Sequence, residues 1–169
     1  MRRTPAALVS SLFFAAAPGT VAVLVPYWIT GWRLRDPFPP AAMLPLRVAG
    51  VVLVAAGLAV LVSAFVRFVV EGLGTPMPTA PPERLVVGGL YRYVRNPMYV
   101  AIFAAVAGQA MIFGSPWLLL YLAVIAVPVF GFVHWYEEPR LRRQFGAAYE
   151  DYLAHVPGWW PRPRPYRVS

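Results

Sequence analysis

Long apolar stretches, separated by short polar ones, divide the chain into four candidate membrane-spanning helices. The stretches run from about residue 6 to 30, from 46 to 70, from 97 to 113 and from 116 to 136. A helix that crosses a bilayer needs about 20 apolar residues, so the third stretch is short for a full crossing. The pattern predicts an all-α fold, an integral membrane helical bundle of about four transmembrane helices.

Two proline steps mark the starts of the third and fourth helices. Asn96-Pro97 and Ser115-Pro116 each place a favoured capping residue before a proline, which suits the first helical position because it has no N–H to leave unpaired. Gly114 ends the third helix, so the third and fourth helices are predicted to form a tight hairpin. A hairpin returns the chain to the level at which it started. Polar residues at the end of the fourth helix are therefore expected to meet those at the start of the third.

The remaining segments are predicted to form loops and a surface helix. Residues 31–45 and 71–87 are rich in Pro and Gly, which predicts loops. Pro139 is predicted to begin a last helix with one apolar and one basic face, typical of an amphipathic helix at the membrane interface. Behind it, Trp159 and Trp160 are predicted to lie in an interfacial aromatic belt.

Composition and charge support the membrane assignment. Hydrophobic residues make up 59% of the 169 and charged residues 13%, whereas a soluble domain has about 25% charged residues. The 15 basic residues are all Arg, against seven acids. Basic residues at span ends normally set topology and contact headgroups, so we expect membrane lipids as partners and no nucleic acid. Their placement predicts both termini on the cytoplasmic side, and the Arg-only, Ala- and Pro-rich usage points to a bacterial inner (plasma) membrane.

Some chemistries are excluded by residue usage. The chain has no Cys, which removes thiolate metal sites and cysteine nucleophiles. The two histidines, His134 and His155, are isolated from each other in the sequence, so no metal site is predicted. The oligomeric state is left open.

A polar stretch within the apolar part of the chain runs from Gly88 to Tyr99. The predicted helix start at Asn96 offers free N–H groups and a positive dipole end beside Arg95, which suits a carboxylate. Glu137 and Glu138, at the far end of the hairpin, suit a cationic group. Together these residues predict a two-walled pocket for a zwitterionic, cationic ligand. The alternative is that the two glutamates only place negative charge at the start of the last helix.

Three blocks carry a resemblance to a known superfamily. They are GLYRYVRNPMY from Gly89 to Tyr99, EEPRL from Glu137 to Leu141, and FGAAYEDY from Phe145 to Tyr152. In this order they resemble the isoprenylcysteine carboxyl methyltransferase and phospholipid methyltransferase superfamily, over about residues 88–161. The resemblance implies a single membrane-embedded domain, 1–169, that transfers methyl groups from S-adenosyl-L-methionine. Residues 1–87 would form the scaffold and substrate side, and residues 88–161 would bind the cofactor.

The resemblance also implies residue roles. Arg95 and Glu138 would be catalytic. The cofactor-binding residues would be Gly89, Tyr91, Val94, Asn96, Pro97, Tyr99, Tyr136, Glu137 and Glu138. This chain departs from the family pattern in having Asn96 where the family often has His, which weakens any acid-base role for a ring nitrogen there, and Ala101 where it often has Gly.

The acceptor and two other functions remain open at this level. The acceptor would be a lipophilic small molecule or lipidated substrate with a carboxylate, thiol or amine head. One alternative is a related membrane reductase that uses NADPH. The other is a non-catalytic membrane adaptor, for which loss of the glutamate pair or of the Arg-x-Pro-x-Tyr frame would be expected, and neither is lost.

Overall fold

The computed structural model describes residues 16–72 and 84–167, with side chains in 16–67 and 84–167. Its helices are α1 (Ala16–Thr30), α2 (Pro40–Gly72), α3 (Pro97–Phe113), α4 (Pro116–Phe132), α5 (Glu138–Phe145) and α6 (Ala147–His155). A 3₁₀ turn, Gly89–Arg92, precedes α3, and a π turn, Val133–Glu137, joins α4 to α5 without a break. The described residues contain no strand, so the predicted all-α fold is confirmed.

Two helices are long and apolar enough to cross a membrane. They are α2, over Pro40–Arg67, and the continuous α4–α5 helix, over Pro116–Phe145. The shorter apolar helices are α1 and α3. Large aliphatic side chains such as Leu44, Val52 and Val127 are between 62% and 73% exposed, as expected where a bundle faces lipid. The predicted membrane helical bundle, with α3 and α4 as its hairpin, is therefore confirmed.

Small residues bring α2 and α3 into close contact. A Cβ atom on Gly50 would lie 2.6 Å from the Gly108 carbonyl oxygen, and one on Gly57 would lie 2.8 Å from the Ala101 carbonyl oxygen. The two backbones approach this closely only because these positions have no side chain. Small interface residues of this kind let membrane helices gain packing energy where no hydrophobic driving force exists between them.

An arginine fixes the end of the bundle at which α3 turns into α4. Arg47 of α2 forms an ion pair with Asp36 at 2.8 Å and donates to the Ile112 carbonyl oxygen at 3.1 Å. The Arg35 N–H also donates to the Phe113 carbonyl oxygen at 3.1 Å. These bonds satisfy carbonyl groups at the end of α3 that have no partner within the helix.

Two predicted boundaries are wrong. The first long loop ends earlier than predicted, because Pro40 begins α2 as a first helical residue and Pro45 is accommodated inside the helix. The last helix is divided into α5 and α6 at Gly146, whose φ of 53° and ψ of −129° suit glycine alone. The predicted first span also included residues 6–15, and the second loop residues 73–83, which lie outside the described residues.

Candidate functional site

The two polar clusters at the open end of the hairpin meet in space. The Arg95 guanidinium Nη1 lies 2.7 Å from Glu138 Oε1, and the Tyr99 hydroxyl donates to Glu137 Oε2 at 3.3 Å. Arg95 lies just before α3 and Tyr99 in its first turn, while the glutamates lie where the π turn passes into α5. The predicted convergence of the helix start with the glutamate pair is therefore confirmed.

Arg95 is held by three separate parts of the chain. Besides Glu138, its Nε donates to the Val156 carbonyl oxygen at 2.9 Å and its Nη1 donates to the Tyr149 hydroxyl at 3.4 Å. The Arg95 and Glu138 side chains are only 14% and 17% exposed. A buried ion pair needs such additional hydrogen bonds, because desolvation of the charges otherwise exceeds their attraction. Arg95 thus joins the start of α3 to α5, α6 and the segment that follows.

That segment, residues 156–167, runs across the motif and is here called the C-terminal strap. The Arg95 and Asn96 N–H groups donate to the Pro157 and Gly158 carbonyl oxygens at 2.9 and 3.2 Å. Further along, the Arg162 and Tyr166 N–H groups donate to the Tyr93 and Arg92 carbonyl oxygens, each at 2.9 Å. The strap is therefore fastened to the motif by these four backbone hydrogen bonds, and it lies along one side of the site.

The site also contains the side-chain amide nitrogen of Asn96, a residue that is half-buried as a whole. Asn96 is the N-cap residue of α3, as predicted, but its side chain makes no capping hydrogen bond. Its Nδ2 atom is buried and has no hydrogen-bond partner among the described residues. A buried donor left unpaired costs about 1–3 kcal/mol, so such groups in native proteins call for an explanation. A bound ligand that accepts a hydrogen bond here would supply one.

Four other residues predicted to bind the cofactor lie in the segment that leads into α3 or at the first residue of that helix. Pro97 and Val94 are buried. Tyr91 packs in a cluster with Ala64 of α2. The Tyr91 carbonyl oxygen accepts a hydrogen bond of 2.6 Å from the Tyr152 hydroxyl. Gly89 has a φ of 54°, in the left-handed region that favours glycine. These residues set the path of the chain into α3, and their assignment to cofactor binding stays a prediction.

Tyr136 is placed differently from the other predicted residues. Its ring is 47% exposed and stacks on Phe132 at a centroid distance of 5.1 Å. Its hydroxyl accepts a hydrogen bond from Arg140 Nη1 at 2.9 Å. Tyr136 therefore contributes to the outer surface of the α4–α5 junction, and its assignment to cofactor binding stays a prediction.

The structure adds Trp159 to the site. Sequence reasoning placed it with Trp160 in an interfacial belt, but only Trp160 is fully exposed, at 80%. The centroid of the Trp159 ring lies 4.1 Å from that of Phe130 and 6.3 Å from those of Phe103 and Tyr99. The ring therefore packs against both α3 and α4. The signal that distinguishes the two tryptophans is Gly158, where a Cβ would lie 3.2 Å from Arg95 Nη2. A side chain at position 158 would press against the Arg95 side chain.

Three tyrosines outside the membrane spans stay protonated at neutral pH, and two of them, Tyr152 and Tyr166, donate hydrogen bonds from their hydroxyl groups. Burial raises the pKa of Tyr149, an effect that the positive charge of Arg95 opposes. Burial also raises the pKa of Tyr152, whose hydroxyl donates to the motif backbone. The hydrogen bond from the Tyr166 hydroxyl to the Asp151 carboxylate raises the pKa of Tyr166. These groups fasten α6 and the strap to the motif.

No metal centre is built by the described residues, which contain no group of three His, Asp or Glu side chains placed to hold an ion. The site consists instead of paired charges, a buried amide and aromatic rings at one end of a membrane helix hairpin. These features define a helical membrane protein with a partly desolvated cluster of polar groups at the open end of its hairpin.

Comparison with known families agrees with this class. The family model described as phospholipid methyltransferase matches residues 45–148, and the chain belongs to that family. The match runs from the start of α2 to the start of α6 and includes both the motif and the glutamate pair. It confirms the resemblance seen in the sequence, because this family is part of the same superfamily of membrane methyltransferases. No curated protein and no solved structure matched the chain.

Proposed function

We propose that this protein transfers a methyl group from S-adenosyl-L-methionine to a lipophilic acceptor at the membrane face. The observation that carries the proposal is the approach of the Arg95–Tyr99 block to Glu137 and Glu138, at 2.7 and 3.3 Å. Membership of the phospholipid methyltransferase family supports methyl transfer as the reaction class. The acceptor class remains a carboxylate, thiol or amine attached to an apolar group.

The residues present fit the chemical groups of this cofactor. The Asn96 Nδ2 atom, which has no partner in the part of the chain that the structure describes, and the N-terminus of α3, a helix of 17 residues, offer donors to its carboxylate. Glu137 offers an acceptor to its ammonium group, since the carboxylate of Glu138 already pairs with Arg95. The ring of Tyr99, beside Glu137, offers an aromatic face to a positively charged sulfur.

The protein's part in such a reaction is positioning and the exclusion of water. Bound S-adenosyl-L-methionine supplies an electrophilic methyl group on a sulfonium, so the chain needs no nucleophile of its own. Holding donor and acceptor in line and desolvated accounts for much of the barrier reduction. A carboxylate or thiolate acceptor needs no base once it is desolvated, whereas a protonated amine must first lose a proton.

Within this proposal Arg95 and Glu138 act by holding the site together. Their mutual ion pair and the bond from Arg95 to the Val156 carbonyl oxygen occupy the groups that would otherwise face a substrate. We therefore infer a positioning role for the pair, and Glu137 and Asn96 as the residues that touch the cofactor.

Titration calorimetry with S-adenosylhomocysteine in lipid nanodiscs tests this proposal. The wild-type protein should bind, and Glu137→Gln should weaken binding at least about 10-fold, the cost of one charge-assisted hydrogen bond. Glu150→Gln is the matched control, since Glu150 is an exposed acid of α6 that pairs with Arg142 at 3.4 Å. Binding of NADPH in place of S-adenosylhomocysteine would favour the reductase alternative. Binding of neither ligand by folded protein would reject an enzyme of this class.

We also propose that the site faces the cytoplasm of a bacterial inner membrane. Because the chain has no Cys, single cysteines report their own accessibility. Arg164→Cys, in the strap, should react with an impermeant maleimide only after lysis, and Arg33→Cys, at the other end of the bundle, should react in intact cells. The reverse pattern would invert the topology.

A further inference from the structure

Trp159 fills the gap between α3 and α4 directly beside the polar pair. Its indole stacks on Phe103 with an interplanar angle of 16° and meets Phe130 edge-on at 68°. Tyr99 and Phe103 are four residues apart on α3 and so share one face of the helix. On this face, the Tyr99 hydroxyl donates to Glu137, and one turn later the Phe103 ring stacks on Trp159.

The other side of this gap faces the bilayer. Phe130 is 42% exposed and Val127, three residues before it on α4, is 73% exposed. On a membrane-spanning helix such apolar exposure is contact with lipid tails. Trp159 is only partly exposed, and its ring contacts Phe130 on one side and Tyr99, the partner of Glu137, on the other. A lipophilic acceptor that brings its head to the polar pair would leave its apolar part against this indole.

The C-terminal strap fixes the indole in this position. The Gly158 carbonyl oxygen accepts a hydrogen bond from the Asn96 N–H at 3.2 Å, one residue before Trp159. The next residue, Trp160, points away and is 80% exposed. The placement of Trp159 is thus set by the backbone hydrogen bonds between the strap and the motif, whereas Trp160, of the same residue type in the same strap, is largely exposed.

We propose that Trp159 is a specificity-determining residue for the acceptor. Its indole packs against the apolar segment next to the acceptor head and limits the width of that segment. The inference rests on the proposed methyltransferase function, and it adds a residue that lies beyond the matched family region.

The location of the indole is tested by fluorescence quenching of a protein in which the other tryptophans are replaced by Phe. Those are Trp28, Trp32, Trp117, Trp135 and Trp160, all more than half exposed, so their loss costs little packing. In nanodiscs, lipids brominated on acyl carbons near the headgroup should quench Trp159 more than lipids brominated near the chain end or aqueous iodide. Stronger quenching by iodide, in protein that still binds S-adenosylhomocysteine, would overturn the inference while leaving the proposed function in place.

The role of the indole is tested with Trp159→Ala, Trp159→Phe and the control Trp160→Ala. Each variant is given labelled S-adenosyl-L-methionine in nanodiscs made with a total bacterial lipid extract. For the main product, Trp159→Ala should raise the acceptor KM at least about fivefold, the scale of one lost aromatic contact, with a smaller change in kcat. The product profile should shift toward acceptors with bulkier apolar groups, and Trp159→Phe should give an intermediate profile.

Two results would overturn this role. One is a loss of S-adenosylhomocysteine affinity in Trp159→Ala in proportion to its loss of activity, which would indicate a structural part only. The other is an equal shift of the product profile in Trp160→Ala. Failure of the wild-type protein itself to bind S-adenosylhomocysteine would reject the proposed function, and this inference with it.

Discussion

Arg95 and Glu138 form an ion pair at 2.7 Å in which both side chains are more than four-fifths buried. The pair joins the second residue before α3 to the first residue of α5, and so it closes the hairpin at its polar end. Each charge is a partner for the other in an environment with little water. Loss of either one leaves the other uncompensated, which is more costly than loss of both.

We expect Arg95→Met and Glu138→Met each to lower the free energy of unfolding by about 3 kcal/mol, and the double variant to lose less than the sum. Equilibrium unfolding in mixed detergent micelles gives the free energy of unfolding of wild type, the two single variants and the double variant. The exposed Arg142–Glu150 pair, 49% and 54% exposed, is the control and should show a coupling of less than about 1 kcal/mol. Additive losses for Arg95 and Glu138 would contradict the role assigned to their ion pair.

Asn96→Ala separates stability from ligand binding. Because the Asn96 amide is buried without a partner among the described residues, its removal should leave the unfolding free energy unchanged or slightly higher. Affinity for S-adenosylhomocysteine should nevertheless fall at least about 10-fold, since a ligand hydrogen bond is lost. On the same preparation, thermal unfolding reports the stability and titration calorimetry reports the affinity for S-adenosylhomocysteine. Destabilisation with unchanged affinity would assign Asn96 to the fold and not to the site.

The crossing of α2 over α3 depends on glycine at two facing positions. Gly50→Ala would place a methyl group 2.6 Å from the Gly108 carbonyl oxygen, so the helices must separate, at a cost of about 1–3 kcal/mol. Gly19→Ala is the matched control, because nothing lies within 4 Å of a Cβ there and its φ is −62°. Equal stabilities of the two variants would mean that the close approach contributes nothing.

The contact between Tyr166 and Asp151 predicts a loss of stability at high pH. Tyrosine has a pKa of about 10 in the unfolded chain, and the hydrogen bond to Asp151 raises the pKa of Tyr166 in the folded protein. This contribution is complete below about pH 10 and is lost as the pH rises through the raised value.

The measurement is Tm between about pH 8 and about pH 12 for wild type and Tyr166→Phe. The variant should be less stable below about pH 10, and the difference should shrink above it. Tyr27→Phe, at the other end of the bundle, is the control. A difference that stays constant with pH would show that the Tyr166 hydroxyl does not carry the effect.

Local signals account for the features that the sequence predicted well. The bounds of α3 and the start of α4 follow from Asn96-Pro97, Gly114 and Ser115-Pro116, each of which acts within one helical turn. The meeting of Arg95 with Glu138 then follows from hairpin geometry alone, because two antiparallel helices of 17 residues return the chain to its starting level.

Features set by distant contacts could not be predicted in this way. Pro39, Pro40 and Pro45 resemble a loop in the sequence, yet α2 begins at Pro40 and is tied through Arg47 to the end of α3. Trp159 has the residue type and position of a membrane anchor. Its true environment depends on the strap pairing with Arg95 and Asn96, which are remote in sequence.

The most direct test of the central claim is transfer of a deuterated methyl group from labelled S-adenosyl-L-methionine to membrane lipid. Wild-type protein, Glu137→Gln and Glu150→Gln are incubated in nanodiscs of total bacterial lipid, and the extracts are analysed by mass spectrometry. Wild type and Glu150→Gln are expected to yield a labelled lipophilic product, and Glu137→Gln is expected to yield at least about 10-fold less of it. Folded wild-type protein that yields no labelled product, or a Glu137→Gln variant as active as wild type, would contradict the central claim.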